Sequence, residues 1–450
     1  MINLTLFKLN KIPILLALLS VFLYISFGYD LIRTDYFKLV SLYAALFFLF
    51  YILILYYKDN FNLLVSFSIV FRVAFLFAIP NLSQDFYRFI WDGRMVFEGL
   101  NPYLYTPESF IKAEVFPVFQ AQELYNGMGE LNGSHFSNYP PLNQFCFYLA
   151  ALLSNHSILG SVIVMRILII AADLGTLYFG KKLLKHLNIP IHNIFWYILN
   201  PFIIIELTGN LHFESMMIFF LVWSLYLLNL GKWKFAAVIL ACSVSLKLIP
   251  LLFLPLLFQK LGFKKSILFY IIVFSTTLVT FLPFYDIAII SNYSNSVGLW
   301  FQRFEFNASL YYIARAIGYL FRGYNEIAII GTYIPIIVFL FTLGITFFKT
   351  NKTTTQLIVA MLLVLTFYYF TATTVHPWYI ATLLILSIFT KYKFPLVWSF
   401  VIVLSYLAYL NKNNTENLYI VGLEYLIVYG FLIFEIIKKG PLNKSPFSKF

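Results

Sequence analysis

The chain has 450 residues, of which 61% are hydrophobic and only 11% are charged, whereas a soluble domain carries about 25% charged residues. Apolar runs of roughly 20 residues, each long enough to cross the ~30 Å hydrocarbon core of a bilayer, recur along nearly the whole length. The net charge of +12 comes mainly from lysines in short loops between these runs, which is typical of a membrane protein. The composition therefore predicts an all-α polytopic membrane protein and argues against nucleic acid as a partner.

The apolar runs predict about 12–14 membrane spans, with both termini in the cytoplasm. The first run, Ile12–Leu31, lacks a small-residue cleavage site, so we expect an anchored helix and not a signal peptide. Two further spans, at about 39–57 and 61–80, lead to a long first outer loop at 81–155. No linker or long charge run divides the chain, which predicts one domain over residues 1–450.

An apolar segment at the end of the first loop, Pro141–Leu153, could cross the membrane or lie along its surface. If it crossed, Lys181 and Lys182 would fall outside, against the bias that keeps lysines in the cytoplasm. We therefore predict an amphipathic helix in the membrane interface. The later spans then alternate in direction, and a second outer loop occupies residues 285–325.

The polar stretch Ser83–Tyr103 stands out at the start of the first loop. If it is helical, Asp85, Arg88 and Asp92 lie at i, i+3 and i+7 on one face. Arg94 then points elsewhere, and a Gly-Leu-Asn-Pro sequence after it predicts the end of the helix. Such a stripe of charges is either a salt-bridged cap over the spans or part of a site.

The predicted orientation, derived from loop lysines alone, brings the other unusual polar residues to the same outer side. A pump or channel would instead line a path across the bilayer with polar groups, so this gathering indicates an outward-facing site. The residues concerned are Asp85, Arg88, Asp92, Arg94, Glu206, Asn210, His212, Glu214, Lys247, Arg303, Glu305 and His376.

Each of these groups also has a purely structural interpretation. Glu206 to Glu214 could form a solvated turn, Lys247 could reach from a helix end to the headgroups, and His376 could be incidental to an aromatic anchor. His135 is interpreted as an ordinary loop residue. Three charged residues fall within spans, where mutual or interhelical pairing is expected: Arg72, Arg166 and Asp173.

Five motifs in this order resemble the bacterial GT-C glycosyltransferases that use polyprenyl-phosphate-mannose. The resemblance covers about residues 60–390. It is carried by Ser83-Gln-Asp-Phe-Tyr-Arg-Phe-Ile-Trp-Asp-Gly-Arg94 with Gly99-Leu-Asn-Pro-Tyr103, Tyr139-Pro-Pro-Leu142, Leu199-Asn-Pro-Phe202 with Gly209-Asn-Leu-His-Phe-Glu214, Leu246-Lys-Leu-Ile-Pro250, and His376-Pro-Trp-Tyr379.

The resemblance implies an enzyme of the bacterial inner membrane that moves a sugar, mannose, from a polyprenyl-phosphate carrier to a glycan, glycolipid or protein acceptor on the outer side. It implies that Asp85 is the general base. Lys247, Arg303 or His376 would meet the phosphate, Glu206 or Glu214 would hold sugar hydroxyls, and His212 would line the same site. Arg88, Asp92 and Arg94 would belong to the same substrate-binding group, in which Arg88 and Asp92 would brace the loop.

We expect no cofactor. The family often has two acidic residues at the first motif, whereas this chain has Gln84-Asp85, so a divalent metal is left open but not indicated. The two cysteines, Cys146 and Cys242, have neither disulfide nor metal-site spacing.

Three other functions remain open from the sequence. A transporter or flippase of lipid-linked sugars would be favoured by inverted repeats or matching broken spans. A ligase that moves whole glycans would share an outer site but not the Asp-Phe-Tyr-Arg sequence. A non-catalytic assembly subunit is the third.

Overall fold

The computed structural model describes residues 11–411 and 415–439, and every regular element in these ranges is helical. Seven of the described helices are long and apolar enough to cross a membrane: Lys11–Tyr29, Tyr36–Tyr57, Ile158–His186, Phe263–Phe284, Ile327–Phe348, Thr354–Thr371 and Leu418–Lys438. A pair of helices bent by 50°, Ile191–Ile198 and Pro201–Gly209, has the same properties as one broken span. The predicted all-α polytopic membrane fold is confirmed.

The remaining predicted spans correspond to shorter apolar helices, and one further short helix is the predicted interfacial segment. Proline interrupts one of them at Pro255, because it removes a helical hydrogen bond, and Pro377 begins another. These shorter helices are Phe61–Val73, Pro141–Leu153, Glu214–Asn229, Trp233–Val244, Ile249–Leu261, Pro377–Ile388 and Phe394–Leu410. The predicted cytoplasmic ends include residues 1–10 and 440–450, which lie outside the described residues.

Charged residues within the spans form contacts between helices. Arg72 and Asp173 form an ion pair at 2.7 Å with both side chains 1% exposed. Arg166 does not pair with Asp173 but donates to the carbonyl groups of Thr208 and Gly209. These carbonyls belong to the end of the broken span, where helical hydrogen bonds are interrupted, so Arg166 satisfies backbone groups that would otherwise be buried without partners.

The first loop is largely helical. Its helices are Asp85–Phe97, Pro107–Lys112, Ala121–Gly133 and Pro141–Leu153. The first of them ends as predicted, with Gly99 in the left-handed region at φ 76°. The last has 13 residues, about 20 Å at 1.5 Å per residue, which is too short to cross a bilayer core.

The helices Asp85–Phe97 and Pro141–Leu153 cross in close contact at Gly93. A Cβ atom at this position would lie 2.2 Å from the carbonyl oxygen of Phe147. Only glycine allows the two backbones to approach so closely. This crossing holds the Asp85 helix against the end of the first loop.

Both long loops and three shorter turns meet at one end of the helical bundle. We call this region the loop end; it comprises residues 81–155, 210–213, 245–248, 285–325 and 372–376. The second loop contains the helices Ala288–Gln302 and Leu310–Arg322. Hydrogen bonds joining these segments include Leu82–Asn210 (3.0 Å), Leu142–Ser245 (3.0 Å), Tyr103–Asn292 (3.0 Å) and Phe306–Thr373 (3.1 Å).

Candidate active site

Asp85 begins the first-loop helix and is half-buried. Its Oδ1 accepts a hydrogen bond from Asn132 Nδ2 at 3.2 Å. Asn132 belongs to the helix Ala121–Gly133, which is also tied to Gln84 through a hydrogen bond to the Met128 carbonyl at 2.9 Å. The carboxyl group is therefore oriented by a neighbouring helix and not by its own.

The pKa of the Asp85 carboxyl is raised above its usual value, mainly by burial. The charge of Lys247 and the Asn132 hydrogen bond lower this pKa, and the charge of Glu214 raises it. Charges act strongly on a pKa over distances of several ångströms. Asp85 therefore lies in the field of two residues that are more than a hundred positions away in the sequence.

Glu214 and Lys247 form an ion pair, with Glu214 Oε1 3.0 Å from Lys247 Nζ. Glu214 starts the helix Glu214–Asn229, where a negative charge is favourable. The Lys247 side chain is 27% exposed, and its ammonium group lies 5.4 Å from the centre of the Tyr139 ring. The second carboxylate oxygen of Glu214 is buried without a hydrogen-bond partner in the part of the chain that the structure describes.

A cavity of about 480 Å³ begins at this ion pair. Glu214, Lys247 and Tyr379 provide polar groups, whereas most of the other lining side chains are apolar. The helices that contribute to its walls include Ala288–Gln302 and Ile327–Phe348. The cavity thus combines a cation with a long apolar surface, which suits an amphipathic ligand.

The imidazoles of His212 and His376 lie on either side of the Trp378 indole. The ring centres are 3.7 Å apart for His212–Trp378 and 4.5 Å apart for His376–Trp378. Burial and then the charge of Lys247 lower the pKa of His376 to about 3, and burial also lowers the pKa of His212. Both imidazoles are therefore neutral at pH 7. They can form hydrogen bonds to a ligand, but they add no charge to the site.

Glu206 lies in the last turn of the broken span and is 1% exposed. Its Oε1 accepts a hydrogen bond from Tyr406 Oη at 2.8 Å. Its Oε2 is 3.9 Å from His212 Nε2, and both atoms are buried without hydrogen-bond partners among the described residues. A single hydroxyl oxygen at ~2.8 Å from each atom would fit this spacing.

Arg88 and Asp92 bind each other and the rest of the first loop. Arg88 Nε lies 2.8 Å from Asp92 Oδ1, and Arg88 also donates to the carbonyls of Asn132 and His135. Asp92 Oδ2 accepts from Ser137 Oγ at 2.6 Å. Both charged groups are almost fully buried, and their contacts suit a bracing role.

Arg94 points away from this cluster, as the helical spacing predicted. It donates to the carbonyls of Phe119 and His156 and so joins two other parts of the first loop. Arg303 lies at the end of the helix Ala288–Gln302, is exposed, and does not line the cavity.

Three residues of the loop end were not recognised as site candidates from the sequence: Asn132, His135 and Trp300. An asparagine or histidine in a long loop carries no distinguishing pattern, and Trp300 lies in a different loop. In residues 11–411 and 415–439, no group of three or more His, Cys, Asp or Glu side chains is arranged to hold a metal ion.

The fold and the loop-end cluster define a helical integral membrane protein with a half-buried carboxyl group near a cation-containing apolar cavity, as expected of a membrane glycosyltransferase. Residues 36–261 match the family model described as alpha-(1->6)-mannopyranosyltransferase, N-terminal domain, of the MptA_B family. This match covers half of the chain, and the protein belongs to that family of mannosyltransferases. A search of the curated proteins finds no match.

Proposed function

We propose that the protein transfers mannose from a polyprenyl-phosphate carrier to an acceptor hydroxyl on the outer side of the membrane, with inversion at the anomeric carbon. The main support is the position of Asp85 within the electrostatic reach of Lys247, which lines the apolar cavity. A base and a cation in the lining of an apolar cavity are two parts that such a transfer needs.

In this mechanism Asp85 accepts the proton of the acceptor hydroxyl. The freed oxygen attacks the anomeric carbon, a carbon–oxygen bond forms, and the bond from that carbon to the phosphate oxygen breaks. The raised pKa of Asp85 favours this role, because a base works best when its pKa lies near the operating pH. The Asn132 hydrogen bond orients the carboxylate for the transfer.

The polyprenyl phosphate leaves with the electron pair and an additional negative charge. Lys247 is the preferred partner for this charge, since it is the basic residue that lines the cavity. A preorganised cation in a poorly solvated site stabilises such developing charge well. His376 would contribute a hydrogen bond only, because its imidazole is neutral, and Arg303 would have to act from the exposed rim.

The apolar walls of the cavity suit the first part of a polyprenyl chain. Glu206, His212 and Glu214 carry buried polar atoms without partners among the described residues, and these atoms would bind sugar hydroxyls. The family description suggests an α-(1→6) linkage, so we propose the primary hydroxyl of a mannose residue as the acceptor group. The family match favours an enzyme over a transporter, a flippase or an assembly subunit.

Transfer of radiolabelled mannose from polyprenyl-phosphate-mannose to octyl α-mannoside, measured with the purified protein in detergent, tests the proposal. We expect Asp85→Asn to lower turnover by about 10²–10⁴-fold. Asp286→Asn is the matched control, because the Asp286 side chain accepts a backbone hydrogen bond from Ala288 at the loop end, and an asparagine oxygen can accept the same bond. Near-normal turnover by a correctly folded Asp85→Asn variant would contradict the role of Asp85.

A further inference from the structure

His135 presents a buried hydrogen-bond acceptor that nothing in the described residues occupies. The residue is 6% exposed, in the segment between the helices Ala121–Gly133 and Pro141–Leu153. Its Nδ1 lies 2.8 Å from the carbonyl oxygen of Phe136. Because a carbonyl only accepts, Nδ1 carries the hydrogen and Nε2 carries a lone pair. Nε2 has no hydrogen-bond partner among residues 11–411 and 415–439.

Trp300 presents the complementary group from the second loop. Its ring centre lies 5.7 Å from that of His135, with the ring planes at 81°. The indole Nε1 can only donate, and it too is buried without a partner among the described residues. An acceptor and a donor from two different loops are therefore left without partners on neighbouring rings, although buried polar atoms are almost always paired.

Contacts on both sides connect this pair to the candidate active site. Arg88 donates to the carbonyls of both Asn132 and His135, and Asn132 donates to Asp85. On the other side, the Trp300 ring centre lies 6.2 Å from that of His376. The pair is thus linked through Arg88 and Asn132 to the residue that we propose as the base, and through His376 to the Trp378 indole.

We propose that His135 Nε2 and Trp300 Nε1 together bind one hydroxyl group of the acceptor sugar other than the hydroxyl that attacks. A hydroxyl fits this pair because it can donate to Nε2 and accept from Nε1 at the same time. A cation would be repelled by the Trp300 N–H, and a carboxylate would be repelled by the lone pair of His135 Nε2. Neither ligand therefore fits the pair. The inference rests on the proposed function and adds an acceptor-recognition site to it.

Two further observations support a neutral, hydrogen-bonding site. Burial and then the charge of Arg88 lower the pKa of His135 to about 4, so Nε2 remains an acceptor at pH 7. Both atoms are shielded from solvent without the ligand. Binding therefore requires the helix Ala288–Gln302, which carries Trp300, to move away from the first loop and admit the sugar.

The test compares Trp300→Phe, His135→Asn and His135→Gln with the unchanged protein. Trp300→Phe keeps an aromatic ring and removes the N–H. His135→Asn keeps a donor to Phe136 and removes the acceptor, whereas His135→Gln returns an amide oxygen near the Nε2 position. With octyl α-mannoside as the acceptor, we expect kcat/KM to fall at least about tenfold for Trp300→Phe and His135→Asn, with partial recovery in His135→Gln.

Octyl α-mannosides lacking the 2-, 3- or 4-hydroxyl distinguish recognition from a structural role. We expect one of these compounds to be a poor acceptor for the unchanged protein. With that compound, Trp300→Phe should be as active as the unchanged protein, whereas with the other acceptors it should be less active. If Trp300→Phe lowered kcat/KM equally with every acceptor, or lowered it with none, the inference would be overturned and the proposed function would be left intact. Failure of the unchanged protein to transfer mannose to octyl α-mannoside at all would overturn both.

Discussion

Glu214 and Lys247 lie 3.0 Å apart and act in opposite directions on the pKa of Asp85. The negative charge of Glu214 raises this pKa and the positive charge of Lys247 lowers it. Glu214 lies at the start of one helix and Lys247 lies in the turn after another. The pKa of Asp85 therefore depends on how these helices pack.

The first prediction concerns the pH dependence of kcat/KM. Asp85 must be deprotonated to act as the base, so activity falls as the pH drops through its pKa. Glu214→Gln removes a charge that raises this pKa, and the acid limb should move to lower pH. Lys247→Met removes a charge that lowers it, and the acid limb should move to higher pH. Profiles that shift in the same direction would show that Asp85 is not the titrating group.

The second prediction distinguishes the cations proposed for the phosphate. Lys247 lines the cavity, whereas Arg303 is exposed and outside it. Lys247→Met should raise the KM for polyprenyl-phosphate-mannose or lower kcat, at least about tenfold overall in kcat/KM, which corresponds to about 1.4 kcal/mol. Arg303→Gln should change kcat/KM less than about threefold. The reverse order would assign the phosphate to the loop arginine.

The third prediction concerns the buried pair Arg88–Asp92. Removing one partner leaves the other charge buried, which costs about 3–5 kcal/mol, so Arg88→Met or Asp92→Asn should strongly lower the thermal unfolding midpoint in detergent. The double variant Arg88→Met/Asp92→Asn should be less destabilised than the sum of the single variants. Strict additivity would indicate that the two side chains do not interact.

The fourth prediction concerns the helix crossing at Gly93. Gly93→Ala places a methyl group 2.2 Å from a backbone oxygen of Phe147, and overpacking of this kind costs about 1–3 kcal/mol. Because the same helix carries Asp85, mannose transfer should also fall. Gly344→Ala is the matched control, since Gly344 lies inside a long helix and, apart from that helix's own backbone and the two neighbouring residues, no atom lies within 4 Å of the added methyl. Equal unfolding midpoints for the two variants would contradict the close crossing.

Several features of the loop end could be predicted from local sequence. The helix at Asp85–Phe97 and its end near Gly99 follow from residue spacing and from a helix-terminating sequence. The separation of Arg94 from Asp85, Arg88 and Asp92 follows from the helical period alone. The meeting of residues 81–155 with the later loops was expected from the distribution of loop lysines, and the contacts between these segments confirm it.

The pairing within the charged stripe could not be predicted in the same way. Asp85 shares a face with Arg88, but Arg88 binds Asp92 and two carbonyls of the first loop. Asp85 is bound instead by Asn132 from another helix. Spacing limits which residues can meet, whereas the choice among them depends on partners that the rest of the loop supplies.

The sequence by itself determined that this protein is a helical membrane protein, because apolar length and lysine placement are local properties that a bilayer selects directly. It also determined the motifs that resemble a mannosyltransferase. Only the tertiary structure decided which polar groups meet Asp85 and which buried atoms remain without partners. The hydrogen bond from Asn132 and the charge of Lys247 both reach Asp85 from distant parts of the chain, and they depend on helix packing that no local pattern specifies.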